Sequence, residues 1–228
     1  MNISDPYYYA YDKRYRKVHS RNLTWFSSEP TPEVEAWLRN NRVSREEQVL
    51  EIGIGEGRDL IYLTQMGYRI KGVDISPTAI QFCKERARKE GVIVDLQEGD
   101  ALHLVNKFGP NSFKWIYSVA TLHMLVEKEH RDKFLQAVYH LLEPGGKALL
   151  VNMGDGETPY VTDINLAFDE EKRNHPGEDI WVASTSCRKV SWDYHLQEIE
   201  EAGFIVEKKL STANREYGQC MTVYLTKG

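Results

Sequence analysis

Apolar positions along this 228-residue chain fall into short runs separated by amphipathic stretches. QVLEIGI (48–54), YRIKGVDI (68–75), VIVDLQEGD (92–100), FKWIYSVATL (113–122) and KALLVNM (147–153) are short and end at glycine or polar turn residues. Runs of this kind read as strands buried on both faces. Between them, RDLIYLTQM, TAIQFCKERARKE and EKEHRDKFLQAVYHLL space their apolar residues as helices do. Thr31-Pro32 and Ser76-Pro77 each set a capping residue before a proline suited to the first helical position, and Gly67 and Gly91 mark helix ends.

Strand alternating with helix implies a parallel sheet with helices on both faces. A last helix, SWDYHLQEIEEA, stops at Gly203, and FIVEKKL and MTVYLTK predict a C-terminal antiparallel hairpin at the sheet's end. The expectation is an α/β fold with a seven-stranded, mostly parallel sheet in one domain, 1–228. Two segments escape the alternation. Residues 1–30 gather Tyr7, Tyr8, Tyr9, Tyr11, Tyr15, Trp25 and Phe26 among basic side chains, and read as an aromatic arm. From 154 to 190 the periodicity fades over a stretch longer than an ordinary connection, which predicts an insertion covering a site. Its charged part, FDEEKRNHPGED, reads as a solvated loop.

Composition narrows the classes. A 41% hydrophobic fraction supplies a core, and 28% charged residues suit a soluble chain. The net charge of −5 offers no basic field for nucleic acid or an anionic membrane. No apolar run approaches the roughly 20 residues that span a bilayer. The N-terminus has acids and tyrosines where a signal peptide has an apolar stretch. Cys83, Cys187 and Cys220 have neither metal-ligand nor disulfide-framework spacing, so a cytoplasmic protein without a metal is expected.

The chemistry concentrates at Glu51-Ile52-Gly53-Ile54-Gly55-Glu56-Gly57-Arg58, between a strand and a helix. Glycines there let a ligand lie against bare backbone at a helix N-terminus. A dinucleotide loop would carry its third glycine at 58, where this chain has Arg58. Glu51 would oppose a pyrophosphate and suit an ammonium. Asp74 ends the second strand, where an acid accepts ribose hydroxyls, and Asp100 ends the third, where it suits an exocyclic adenine amine. These acids together describe a ligand with an amine, a ribose and an adenine, and no phosphate.

VLEIGIGEG, GVDIS, EGDA, SVATLHML and LLEPGGKALLV, in that order over 48–152, resemble the class I S-adenosylmethionine-dependent methyltransferases. The resemblance implies a Rossmann-like fold with a cofactor-binding core over 48–153, and S-adenosyl-L-methionine as cofactor. By it, Glu51 lies near the methionine amine and Gly53, Gly55 and Gly57 form the cradle. Asp74 holds the ribose, and Asp100 with Ala101 contacts the adenine. Arg58, Ile75, Ser118 and Trp25 complete the expected cofactor-binding set. Family members often carry Asp at the Glu51 position.

Methyl transfer needs a nucleophile about 3 Å from the methyl in a dry pocket, and often no further group. His123, after the fourth strand, is the candidate acid–base group. That strand lacks the N/D-P-P-Y/F pattern of enzymes acting on nucleic-acid bases or glutamine, which points to a small-molecule acceptor. Tyr11-Asp12, Arg14-Tyr15 and Trp25 loosely resemble the arm of thiopurine, thiol and tellurite methyltransferases, implying a lid. Tyr160, Phe168, His175 and Trp181 are candidates to line the acceptor pocket. The competing readings are a non-catalytic regulatory protein that binds the same cofactor, and a nicotinamide-dependent dehydrogenase, which Glu51 and Arg58 disfavour. The acceptor atom (S, N, O or C) and the oligomeric state leave no signature in the sequence.

Overall fold

The computed structural model describes residues 5–175 and 178–228. A short turn at Tyr7–Tyr9 leads into α1 (Ala10–His19) and then α2 (Pro32–Asn40). The central run is β1 (Gln48–Ile52), α3 (Arg58–Gln65), β2 (Arg69–Asp74), α4 (Pro77–Lys89), β3 (Asp95–Glu98), α5 (Leu104–Phe108), β4 (Phe113–Val119), α6 (Lys128–Leu141) and β5 (Leu142–Met153). There follow β6 (Tyr160–Val161), β7 (Glu170–His175), β8 (Glu178–Ala183), β9 (Arg188–Lys189), α7 (Trp192–Glu201), β10 (Phe204–Asn214) and β11 (Gly218–Lys227).

Seven strands make one sheet in the order β10-β11-β5-β4-β1-β2-β3. β1 to β5 are parallel, and β11 runs antiparallel to both β5 and β10. Side chains alternate between two cores, as the period of two requires. Val49, Tyr117, Leu149 and Val151 pack with Trp37, Leu63 and Cys83 on the face of α2, α3 and α4. Leu50, Ile116, Ala148 and Leu150 pack with Phe134, Val138 and Ile199 on the face of α6 and α7. β1 has β2 on one side and β4 on the other, so connections diverge there and open a crevice beyond the strand ends.

Three expectations need correction. The arm contains a full helix, α1, whose buried stripe Ala10, Tyr15 and Val18 the clustered tyrosines had masked. The charged part of the insertion is a β-ribbon, β7 paired with β8, and β6 pairs with β9. Ile180 and Val182 bury one face of the ribbon against Val18, Leu23 and Trp25, while β7 is polar throughout and shows no alternation. Finally, the fifth strand, expected over 147–153, already begins at Leu142 and turns a corner at Pro144–Gly146, where Phe113 pairs with Leu142 and Trp115 with Lys147.

Ser76 caps α4 as its position before Pro77 predicts: its Oγ accepts from Ala79 N at 3.0 Å. The same hydroxyl donates to Asp12 of α1 at 2.7 Å, so one cap also seats the arm. Ser76→Ala is expected to lower stability by about 2 kcal/mol, the upper end for a lost cap, and Tm by about 4–8 °C in thermal melts. Ser76→Thr should retain most of both.

Candidate active site

After β1 the backbone turns through three glycines in the left-handed region, Gly53 (φ 81°), Gly55 (φ 52°) and Gly57 (φ 77°). Side chains are excluded at each. A Cβ on Gly53 would fall 2.0 Å from Thr121 Oγ1, on Gly55 2.8 Å from the Tyr15 hydroxyl, and on Gly57 2.1 Å from Cys83 Sγ. The loop forms one wall of a cavity of about 950 Å³, mouth included. Glu51, Gly53, Gly55, Arg58, Asp74, Ile75, Asp100 and Ala101 all line it.

The acids differ in environment. Tyr117 donates its hydroxyl to Glu51 Oε2 at 2.6 Å, yet burial, with Asp59 adding to it, pushes the Glu51 carboxyl well above the usual range. Asp74 accepts from Gly55 N and Ser76 N, both at 2.8 Å. Burial still pushes it up to about 6. Asp100 accepts from Leu102 N at 2.9 Å and from the Tyr8 hydroxyl at 3.1 Å. Arg58 is held by Asp59 at 3.1 Å and by the Thr31 hydroxyl, and its guanidinium lies 5.5 Å from the Tyr217 ring.

The arm forms the opposite wall, with Tyr8, Tyr11, Tyr15 and Phe26 lining the cavity. It is fastened by carboxylates. Glu56 accepts from Trp25 N at 2.7 Å, Phe26 N at 3.0 Å and pairs with His19 Nε2 at 2.8 Å. Asp12 accepts from Ser76 Oγ and from Thr78 N at 3.2 Å. Towards the insertion, Arg14 Nη2 donates to the carbonyls of Ala183 and Ser184, each at 2.7 Å, and the Tyr11 hydroxyl donates to Ser186 O at 3.1 Å.

Four sequence candidates stand outside the cavity. Ser118 Oγ donates to Ile52 O at 2.8 Å and ties β4 to β1. Gly57 packs on Cys83. Trp25 lies over Arg14, 4.5 Å from its guanidinium, against the ribbon, and its neighbour Phe26 takes the cavity position. His123 faces away: the turn Leu122–Met124 presents Thr121 and Met124 to the cavity and His123 to a second pocket behind it. Burial lowers His123 to about 4, too weak a base to draw a proton near neutral pH. Of the insertion candidates, Tyr160 and Trp181 are half exposed and Phe168 packs beside Tyr7 and Ala10. The His175 side chain lies outside the described residues. Sequence reasoning missed Tyr217, between β10 and β11, and Thr121, Met124 and Leu125, which lie within SVATLHML, a motif that assigns them no role.

A glycine cradle, three carboxyl groups and an arginine already matched by Asp59 suit an amine-bearing adenosyl ligand better than a pyrophosphate. Residues 49–146 match the methyltransferase domain family. Human EEF1A lysine methyltransferase 2 is 30% identical over 160 residues, 68% of each chain. The chain belongs to the class I S-adenosylmethionine-dependent methyltransferases. Erythromycin 3''-O-methyltransferase of Saccharopolyspora erythraea is 35% identical over 108 residues, 46% of this methyltransferase and 34% of that protein, so the match spans about a third of that relative's length. In fold, Burkholderia thailandensis 1,6-didemethyltoxoflavin-N1-methyltransferase, with bound 1,6-didemethyltoxoflavin and S-adenosylhomocysteine, is similar at TM-score 0.69 and 17% identity, covering 100% of this chain and 92% of that one. A protein described for converting a disulfide into a thioacetal in echinomycin biosynthesis aligns at TM-score 0.71 and 22% identity, over 96% and 91% of the two chains.

A buried Asp74 that titrates near 6 makes a signed prediction. Its folded value lies above its unfolded one, so the native protein holds an extra proton between about pH 4 and 6. The stability this contributes is present below pH 4 and lost as pH rises through 6. Asp74→Asn mimics the protonated form. The stability of the wild type relative to this variant should therefore fall by up to about 3 kcal/mol between pH 4 and 7, read from urea melts without ligand. A flat difference would show that Asp74 is not held protonated.

Proposed function

We propose that this methyltransferase acts on a small-molecule acceptor inside the cavity roofed by the arm, with no protein general base. The supporting observation is the roof: Tyr8, Tyr11, Tyr15 and Phe26 of the arm lie over the cofactor loop. A protein side chain would have to enter past a segment fastened at Asp12, Arg14 and Glu56. The cofactor, when bound, supplies an activated methyl group on a sulfonium. Gly53 and Gly55 give it bare backbone, Glu51 faces its amine, Asp74 its ribose hydroxyls, and Asp100 with Ala101 its adenine. Asp74 retains acceptor capacity for this, because a carboxylate offers about four lone-pair sites and two accept backbone N–H groups here.

The arm and the insertion then exclude water and align the acceptor. Burial raises the hydroxyl groups of Tyr8, Tyr11 and Tyr15 above the ordinary tyrosine value, so none is poised to take a proton. The nucleophile therefore has to arrive reactive, as a thiolate, a neutral amine, an acidic phenol or an oxyanion.

S-adenosylhomocysteine should stabilise the protein by about 2.7 kcal/mol at a hundredfold excess over its Kd, whereas NAD should not. Calorimetric affinity should rise as pH is raised through 6, because hydroxyl donors prefer ionised Asp74. In Asp74→Ala it should fall about ten- to a hundredfold at neutral pH. Stabilisation by NAD alone would overturn the cofactor assignment.

With labelled cofactor, a panel of thiols, amines, phenols and metalloid oxyanions should contain an acceptor whose rate follows its own ionised or free-base fraction. Label appearing only on protein substrates would refute the small-molecule reading.

A further inference from the structure

Behind the Leu122–Met124 turn lies a second, much smaller pocket, lined in part by His123, Asn152, His195, Arg131, Arg188 and Glu198. All but Arg188 are buried, with Asn152 5% and His195 3% exposed. Its one carboxylate is engaged: Arg131 Nε donates to Glu198 Oε1 at 2.7 Å and Arg188 Nη1 to Oε2 at 3.1 Å. Met153 N donates to His123 Nδ1 at 3.4 Å, which places the hydrogen of a neutral His123 on Nε2. The Asn152 Nδ2 and the His195 Nε2 are buried and have no hydrogen-bond partner. Native interiors rarely leave such groups unmet, and two in one pocket call for a ligand.

The chemistry of that ligand follows from the lining. Two guanidinium groups against one carboxylate leave it net positive. Burial, with Lys189 adding to it, holds His123 down at about 4, and burial with Arg188 does the same for His195. Both imidazoles are thus neutral at physiological pH, so each carries a single N–H to donate, that of His123 on Nε2. An anion needs donors only, which the unmet Asn152 Nδ2 and the imidazoles supply, whereas a lone water would also need acceptors for its own two hydrogens.

We propose that this pocket binds a small monovalent anion, held by the imidazole N–H groups of His123 and His195 and the amide of Asn152. The site is separate from the adenosyl cavity, since Thr121 and Met124 face that cavity while His123 faces this one. A halide and a one-carbon oxyanion share the required chemistry.

The test uses the full chain, desalted into sodium gluconate, whose anion is too large to enter, at constant ionic strength. Sodium formate and sodium chloride are titrated separately and the melting temperature is read. A saturable rise with either salt is expected, and the salt that saturates lower identifies the class. Asn152→Leu should weaken the response roughly tenfold or more, as loss of one hydrogen bond to a charged partner implies. His195→Phe gives the same comparison should that variant fail to fold. No saturable rise in the wild type would mean that water alone fills the pocket, an equal rise in a folded variant that the anion binds elsewhere, and either would overturn the proposal.

Discussion

The carboxylate of Asp74 holds three parts of this molecule in one arrangement. One oxygen accepts from Gly55 N and so sets the glycine loop; the other accepts from Ser76 N and sets the start of α4. The Ser76 hydroxyl in turn holds Asp12, and with it the arm. Loop, helix and arm are therefore registered by a short chain of hydrogen bonds beginning at the end of β2. Its geometry follows from the sheet: the parallel pairing of β1 and β2 sets Ile52 opposite Val73, so the two strands end together. The Gly53 and Ile54 amides both donate to Val73 O, bringing the loop over Asp74.

This arrangement concentrates negative charge in a place poorly reached by water. Glu51, Asp59 and Asp74 are all buried near one another, and Arg58 is the cation set among them. Arg58 is committed to Asp59 and Thr31, so Glu51 and Asp74 are left with dipolar partners only, Tyr117 and backbone amides. Desolvation then wins over hydrogen bonding and raises both carboxyl groups. A ligand bringing an ammonium and a sulfonium charge would relieve this imbalance, whereas a pyrophosphate would aggravate it. Two similar turns, G-x-G-x-x-G and the G-x-G-x-G seen here, are thus told apart by charge as much as by glycine spacing.

The sheet was legible because its signals are local. Apolar runs such as QVLEIGI, ended by glycines and followed by capped helices, state both element and order, and Asp74 and Asp100 could be placed at strand ends from the same pattern. The other half of the site was not legible, because it depends on packing between distant segments. Tyr8 and Tyr15 looked like two of a crowd of tyrosines, and only the fold brings them to Asp100 and Gly55. Trp25 and Phe26 are adjacent, and the side each faces is set by Glu56 accepting both backbone amides, a contact across some thirty residues. The polar strand β7 escaped because its partner β8 carries all the apolar residues of the ribbon.

His123 shows how one residue of register reverses a chemical reading. The sequence places this histidine at the site because it follows β4, but its neighbours Thr121 and Met124 line the cavity and it does not. Here Ala120 sits in the left-handed region (φ 56°) and its N–H is held by Val151 O at 2.8 Å. The tight turn that follows exchanges the expected faces of Leu122–Met124. Ser186 reinforces it from the insertion by donating to Met124 O at 2.6 Å. The insertion reaches the cavity chiefly through such backbone contacts, to Met124, Tyr11 and Arg14, and not through its aromatic side chains. Its sequence can therefore vary on the exposed face, where Tyr160 and Trp181 lie, while the enclosure it supports stays the same. The insertion thus acts on the cavity by fixing where its lining residues stand, Tyr11 and Met124 among them.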